Sequence, residues 1–235
     1  MTAPVENSSA SLSISVIIPT LNEAEHIQAL IQETRSLGTC EIIVVDGGST
    51  DRTSELAVTA DKCLSVSPGR AIQQNAGAEI ACGDVLLFLH ADCRLEPGTL
   101  EAIREVMSDQ QTIAGCFRQR IEAKGLRYRL LEWGNALRVR CLKWMYGDQA
   151  IFVRREVFNQ IGGFPDVKLM EDLLLAKRLK KRGRLALLPS RVRVSARRWQ
   201  TKGVIRQTLR NWSFVLLSQC GVSPNWLAKF YPHVR

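Results

Sequence analysis

Runs of β-branched and aliphatic residues recur through the first hundred positions, and each is closed by a small polar cluster. Ile14 to Ile18 (ISVII) ends at Pro19 and reads as a buried strand. Glu41 to Val45 (EIIVV), the short run Cys63 to Val66, and Asp84 to Leu89 (DVLLFL) read as three more. Between them the apolar positions change to helical spacing. One helix is expected from Asn22, as N-cap with Glu23 and Glu25 in the first turn, to about Leu37, where Gly38 stops it. Others are expected over Thr53 to Ala60, Arg70 to Glu79, and Pro97 to Met107, with Pro97 at a helix start. Strands alternating with helices predict an α/β domain with a mainly parallel sheet. Ligands bind such sheets outside the carboxyl ends of the strands. Three polar clusters fall at those ends: Thr20 to Glu23, Asp46 to Asp51, and His90 to Asp92.

Beyond residue 107 the pattern is less regular. Gly115 to Ile121 and Ala150 to Arg154 read as strands, and Leu126 to Leu142 as an Arg-rich helix. A short helix over Val157 to Ile161 stops at Gly162-Gly163. Another runs over Leu169 to Arg182, beginning near Glu171-Asp172. Leu185 to Val194 holds strand-like pieces, and the last 35 residues suggest one or two helices. The reading divides into a leader over 1–13, a domain over 14–203 with halves 14–107 and 108–203, and a basic, amphipathic helical tail over 204–235.

Composition narrows the class. With 235 residues, 46% hydrophobic and 23% charged, the chain is globular and large enough to bury a core without disulfides. Its net charge of +9 is unevenly spread. Residues 1–172 hold 17 basic against 23 acidic groups; after Asp172 there are 15 Lys or Arg and no Asp or Glu. Such polarity turns a basic face toward phosphates, acidic headgroups or nucleic acid. Seven cysteines without a CxxC pair, most of them in apolar runs as small hydrophobes, predict a reducing compartment and no zinc site. The polar N-terminus has no secretory h-region, and no run of 18 apolar residues occurs. Trp212 to Leu217, with Arg206 and Arg210, can form an amphipathic helix at a membrane surface or dock on the domain. The expected location is cytoplasmic, with the inner face of the membrane as the place for such contact.

Four constellations carry chemistry. Asp46-Gly47-Gly48-Ser49-Thr50-Asp51 follows a strand and opens a helix: glycines permit a sharp turn, free N–H groups favour anions, and Asp46 can accept from a base or ribose. The same residues also serve as a capped turn. His90-Ala91-Asp92 places one carboxylate at a strand tip, where it can hold Mg2+ or Mn2+ on a diphosphate, with His90 as an additional ligand. Glu171-Asp172 either complements a helix dipole or supplies a general base. Adjacent helical residues diverge by about 100°, so one of the two is expected to face the reacting centre. Arg197-Arg198-Trp199 combines guanidinium forks for phosphate with a stacking surface, and Arg70 heads the amide-rich Gln73-Gln74-Asn75.

In order, PTLNEAEHI, VVDGGSTD, GRAIQQNAGA, LLFLHAD, GDQAIFVRR, IGGFP, MED and RRW resemble a family 2 glycosyltransferase with the GT-A fold, over about Ser13 to Gly203. The nearest subgroup is that of small soluble bacterial enzymes with HAD in place of DxD. The resemblance implies that Pro19, Thr20, Asn22 and Glu23 border a nucleotide pocket. It further implies that Asp46 and Gly48 bind the base or ribose, with Arg70 beside them. Ala91 and Asp92 correspond to the end of DxD, so Asp92 would hold Mg2+ or Mn2+, joined by His90. Asp172 would be the catalytic base, with Glu171 as second choice. Gly147, Asp148 and Gln149 would shape the donor-sugar and acceptor side. Arg197, Arg198 and Trp199, in a QxxRW-like segment with Ser195 at the Gln position, would stabilise the leaving diphosphate. The implied reaction is an inverting, metal-dependent transfer from a UDP- or GDP-sugar to a hydroxyl acceptor, lipid-linked or envelope-related. Two alternatives compete. A sugar-phosphate nucleotidyltransferase would carry a Gly-rich signature where PTLNEAE stands. A basic binding module would meet anionic membrane, in preference to nucleic acid.

Overall fold

The computed structural model describes residues 11–230, apart from the side chains of Arg198 and Lys202. The expected leader therefore lies outside the described residues up to position 10, as does the end of the expected tail, 231–235. Eight strands form one sheet: β1 (Ile14–Thr20), β2 (Glu41–Asp46), β3 (Lys62–Ser65), β4 (Val85–Phe88), β5 (Cys93–Leu95), β6 (Thr112–Ile121), β7 (Ile151–Arg154) and β8 (Arg184–Val194). Their order is β3-β2-β1-β4-β7-β6-β8-β5. The first four run parallel, and β6 pairs parallel with β8. The antiparallel pairs are β4 with β7, β6 with β7, and β5 with β8.

The helices are α1 (Ile27–Ser36), α2 (Thr53–Leu56), α3 (Arg70–Ile80), α4 (Thr99–Ser108), α5 (Leu126–Leu142), α6 (Arg155–Gln160), α7 (Glu171–Lys180), α8 (Arg197–Lys202), α9 (Val204–Gln219) and α10 (Pro224–Leu227). Every residue of β1 is buried, as the unbroken apolar run requires of a sheet covered on both faces. Val16 and Ile18 face Ile27, Leu30 and Ile103 from α1 and α4. Ile17, Ile43 and Val45 face Ala71 and Ala78 of α3. Gly77 sets the depth of α3, because a Cβ there would lie 2.5 Å from Ile17 Cγ2. At the amino ends of the strands one carboxylate joins three of them. Glu41 takes the Ser15 hydroxyl, Lys62 Nζ at 2.7 Å and the Cys82 N–H at 2.9 Å.

Several expectations give way here. The first helix begins at Ile27, not Asn22. Asn22 adopts a left-handed φ of 54° and spends its side chain on the neighbouring loop, so Glu23 and Glu25 precede the helix instead of opening it. The helix after Asp51 is one turn followed by a 3-10 turn over Ala57–Thr59. The helix near Pro97 starts at Thr99, after a left-handed Gly98. β5 was not anticipated: three residues with no alternation carry too little signal. The pieces around Pro189 are a single strand of 11 residues. The register jumps from Phe117↔Leu188 to Arg118↔Arg191, so Pro189 sits in a bulge where its missing N–H breaks no ladder bond. The cysteines also differ from expectation, since Cys63, Cys82, Cys141 and Cys220 are exposed and only Cys93 and Cys116 are buried. Burial pushes the Cys116 thiol up to about 12.

Candidate functional site

The carboxyl ends of β1 and β2 are tied together by an amide. Gln73 of α3 is buried, and its Nε2 donates to Thr20 O at 2.7 Å and to Val45 O at 2.9 Å. Gly47 N–H donates to Thr20 O at 2.9 Å. Asp46 is buried beneath this crossing. Its Oδ2 accepts the N–H groups of Gly48 at 3.1 Å and Ser49 at 2.9 Å, and its Oδ1 accepts the Ser49 hydroxyl. Asn22 Oδ1 accepts the Thr50 N–H at 2.9 Å, and Glu23 N–H donates to Thr53 Oγ1 at 2.8 Å. Thr20, Asn22, Glu23, Asp46 and Gly48 thus belong to one interlocked pair of loops. Pro19 lies under it, paired in register with Val45.

Beside this crossing, a cleft of about 150 Å3 opens past the ends of β4 and β8. Arg70, His90, Asp92, Asp148, Asp172 and Trp199 all line it. These six come from five segments separated by up to 129 residues of chain, and only the fold brings them together. Asp172, in the first turn of α7, accepts Gly147 N–H on Oδ2 at 2.7 Å and Leu173 N–H on Oδ1 at 2.6 Å. Gly147 has no room for a side chain: a Cβ would overlap His90 Nε2 and lie 2.7 Å from its Cε1. Glu171 diverges from its neighbour. It is buried and pairs with Arg70 Nη1 at 3.4 Å, so α7 and α3 are joined behind the cleft while Asp172 faces it.

Other expected residues stand elsewhere. Ala91 is turned into the core, and its carbonyl accepts from Arg94 Nη1 at 3.0 Å. Gln149 is fully buried and does not line the cleft. Its Oε1 accepts Arg138 Nη2 at 2.7 Å and Tyr146 N–H at 3.2 Å, so it fixes the 144–150 loop from behind. Arg197 is exposed outside the cleft, and the Arg198 side chain lies outside the described residues.

Sequence reasoning missed one wall of the site. Gln207, Asn211, Phe214 and Val215 of α9 line the cleft, although they fall in the segment set apart as a tail. Their spacing of four, three and one was the available signal for an inward helical face. Tyr146 was also missed; it lines the cleft with Arg138 stacked 3.6 Å over its ring. Burial raises the Tyr146 hydroxyl pKa, which the Arg138 charge partly offsets, so the phenol stays protonated and can donate.

Among the described residues no three His, Cys, Asp or Glu side chains form a cage for a cation. Asp92, Asp148, Asp172 and His90 line the cleft as separate donors, not as one ligand cluster. That donor set fits Mg2+ or Mn2+ held through few protein ligands and completed by phosphate oxygens.

Residues 15–162 match the family described as Glycosyl transferase family 2. Over 168 residues the chain is 31% identical to a PGL/p-HBAD biosynthesis glycosyltransferase of Mycobacterium bovis, covering 66% of this chain and 64% of that protein. Over 196 residues it is 30% identical to succinoglycan biosynthesis protein ExoA of Rhizobium meliloti, covering 74% and 59%. The chain thus spans less than two thirds of the length of these curated relatives. Among solved structures, a mannosyltransferase from Pyrobaculum calidifontis in complex with GDP-Man and Mn2+ aligns with a TM-score of 0.65 at 20% identity, covering 79% of this chain and 57% of that one. S. aureus TarS in complex with UDP-GlcNAc aligns with a TM-score of 0.63 at 18% identity, covering 78% and 58%. The shared architecture is the GT-A fold.

Proposed function

Because the chain belongs to glycosyl transferase family 2, we propose that it transfers a sugar from a nucleotide-sugar donor to an acceptor hydroxyl, inverting the anomeric configuration. The observation that carries this reading is the cleft in which Asp92 and Asp172 face one space with Arg70 and Trp199. The nucleotide would lie toward the crossing of β1 and β2, where Asn22 and the buried Asp46 spend their side chains on the N–H groups of Gly48, Ser49 and Thr50 and so shape the floor of the site instead of offering their own groups to the base. GDP-Man and UDP-GlcNAc in the solved relatives support a nucleotide sugar, and the Mn2+ beside GDP-Man supports a divalent cation.

Asp92, with His90 as its companion, would hold Mg2+ or Mn2+ on the donor diphosphate. When bound, such a cation offsets the negative charge that grows on the leaving group. Trp199, which lines the cleft at the start of α8, is the proposed surface against which the donor rests. Asp172 would take the proton from the acceptor hydroxyl as its oxygen attacks the anomeric carbon. The two backbone N–H groups on its carboxylate hold it in place, while Glu171 steadies Arg70. One displacement from the opposite face inverts the centre. Asp148 and Gly147 border the sugar side. The acceptor is proposed to be lipid-linked.

The test is a thermal-shift panel of UDP, GDP, ADP, CDP and dTDP, each with and without Mn2+. A nucleotide at 100 times its Kd stabilises the fold by about 2.7 kcal/mol. The expected result is a shift for one nucleotide that requires Mn2+ and is lost in Asp92→Asn, followed by an inverted product anomer with the matching sugar nucleotide. No shift for any nucleotide would overturn the donor site. Pyrophosphate release from a nucleoside triphosphate and a sugar phosphate would replace the transferase reading with a nucleotidyltransferase.

A further inference from the structure

Two helices carry large apolar side chains on the faces turned away from the fold. On α5 the exposed residues are Leu126, Leu130, Trp133 and Leu137; on α9 they are Ile205, Leu209, Trp212 and Leu216. Both sets repeat at intervals of four, three and four, which puts each on one stripe of its helix. The opposite faces, with Tyr128 and Val139 on α5 and Gln207 and Phe214 on α9, are buried. Ile205 is 76% exposed, Leu126 74% and Trp133 66%. Eight such side chains, ordered on two stripes, are more apolar surface than scattered exposure leaves on a monomer.

The two helices reach shared apolar clusters. Val204 at the start of α9 shares an apolar cluster with Tyr128 and Leu131 of α5. Trp144, just past α5, shares another with Phe214 and Val215. α9 is also a wall of the cleft, so its outer stripe stands one helix thickness from the candidate site. Trp226 and Phe230, exposed and with ring centroids 4.6 Å apart, extend the aromatic surface beyond α9.

Charge selects the occupant. Arg127, Arg140 and Arg206 are exposed beside the stripes, within a chain that has no acidic residue after Asp172. A second copy would press this basic rim against its own likeness. An anionic bilayer satisfies both features: indoles and aliphatic side chains enter the headgroup boundary, and guanidinium groups meet lipid phosphates. We propose that the outer faces of α5 and α9 dock on a bilayer rich in anionic lipid and so bring the cleft to that surface. The docking face stands on its own geometry; its purpose, delivery of a lipid-linked acceptor, rests on the transferase reading above.

Sedimentation of the full chain with phosphatidylglycerol-containing vesicles, and with pure phosphatidylcholine vesicles, tests the surface. Binding to the anionic vesicles is expected to exceed binding to neutral ones by about tenfold or more, and to weaken with salt. Trp133→Glu combined with Trp212→Glu should weaken it by about tenfold or more, whereas Trp133→Phe with Trp212→Phe should retain most of it. Both variants would be checked by thermal melting, since both positions are exposed and the fold should persist. Failure of the wild type to bind anionic vesicles, or undiminished binding by the Glu variant, would overturn the proposal. So would a wild-type dimer that the Glu variant splits, which would assign the face to a second copy. The nucleotide panel on the same preparations separates the two readings: vesicle binding without any nucleotide shift sinks the transferase and keeps the docking face, and the reverse result does the opposite.

Discussion

The carboxylate of Asp172 accepts two backbone N–H groups, from Gly147 and Leu173, and still faces the cleft. A side chain held in this way can take a proton without first being oriented, which is what a general base requires. Asp172→Asn keeps the shape and removes the base. Its kcat is expected to fall by about 10^2 to 10^4, while the nucleotide-induced thermal shift stays at the wild-type value. Wild-type kcat in this variant would remove Asp172 from the mechanism. Gly147 tests the same point from its backbone side. A methyl group there must displace His90 or the loop that presents the Gly147 N–H to Asp172. Gly147→Ala is therefore predicted to lower kcat by about tenfold or more through misplacement of the base, and wild-type kcat in a variant that melts like the wild type would show that this loop does not position Asp172.

Among the elements, the parallel strands are fastened at both ends by polar groups while their middles are apolar. Gln73 closes the carboxyl ends next to the site, and Glu41 closes the amino ends. Burial alone would raise the Glu41 pKa. Hydrogen bonds from Lys62, Ser15 and the Cys82 N–H outweigh that effect and hold the carboxyl below its ordinary value of 4.5. A depressed folded-state pKa means that the stabilisation is fully present above the unfolded value and is lost as pH falls through the folded one. Glu41→Gln should therefore cost about 1.5 to 3 kcal/mol at pH 7, the range for hydrogen bonds to a charged group. The difference from wild type should begin to narrow as pH drops below about 4 and close only once pH has passed below the depressed folded-state value. Denaturant midpoints taken stepwise from pH 7 downward would check this, and a gap that stays constant down to acid unfolding would show that packing, not the carboxylate, fastens these strands. The elements themselves were legible wherever the periodicity was long. Leu126–Leu142 and the four apolar strand runs needed nothing beyond local pattern. Asn22 misled because an Asn before acidic residues satisfies a capping rule, whereas the partner it found, Thr50, lies 28 residues away.

At the scale of the whole molecule, legibility of the site ends where tertiary assembly begins. Arg70, His90, Asp92 and Asp172 were identifiable because each stands at the end of a strand or the start of a helix in a recognisable string. Gln149 and Glu171 share those strings but point behind the cleft, a distinction that depends on Arg138 and Arg70 arriving from other elements. The α9 wall was hidden for a different reason: composition marked residues beyond 203 by their charge, and charge reports the solvent face of a helix while saying nothing about its buried one. Phe214 decides whether α9 is part of the working body or an appendage. It packs with Met170 and Leu173 at the base of α7, next to Asp172, and lines the cleft as well. Phe214→Ala should cost about 3 kcal/mol of stability, the low end for a buried aromatic. In the transferase reading it should also raise KM by several-fold, since the helix that closes the cleft loses its anchor, and Phe214→Leu should restore most of both. Unchanged stability and kinetics in Phe214→Ala would mean that the cleft is complete without α9, and that a boundary near residue 203 describes the molecule after all. A loss of stability with unchanged KM would assign the helix to support alone.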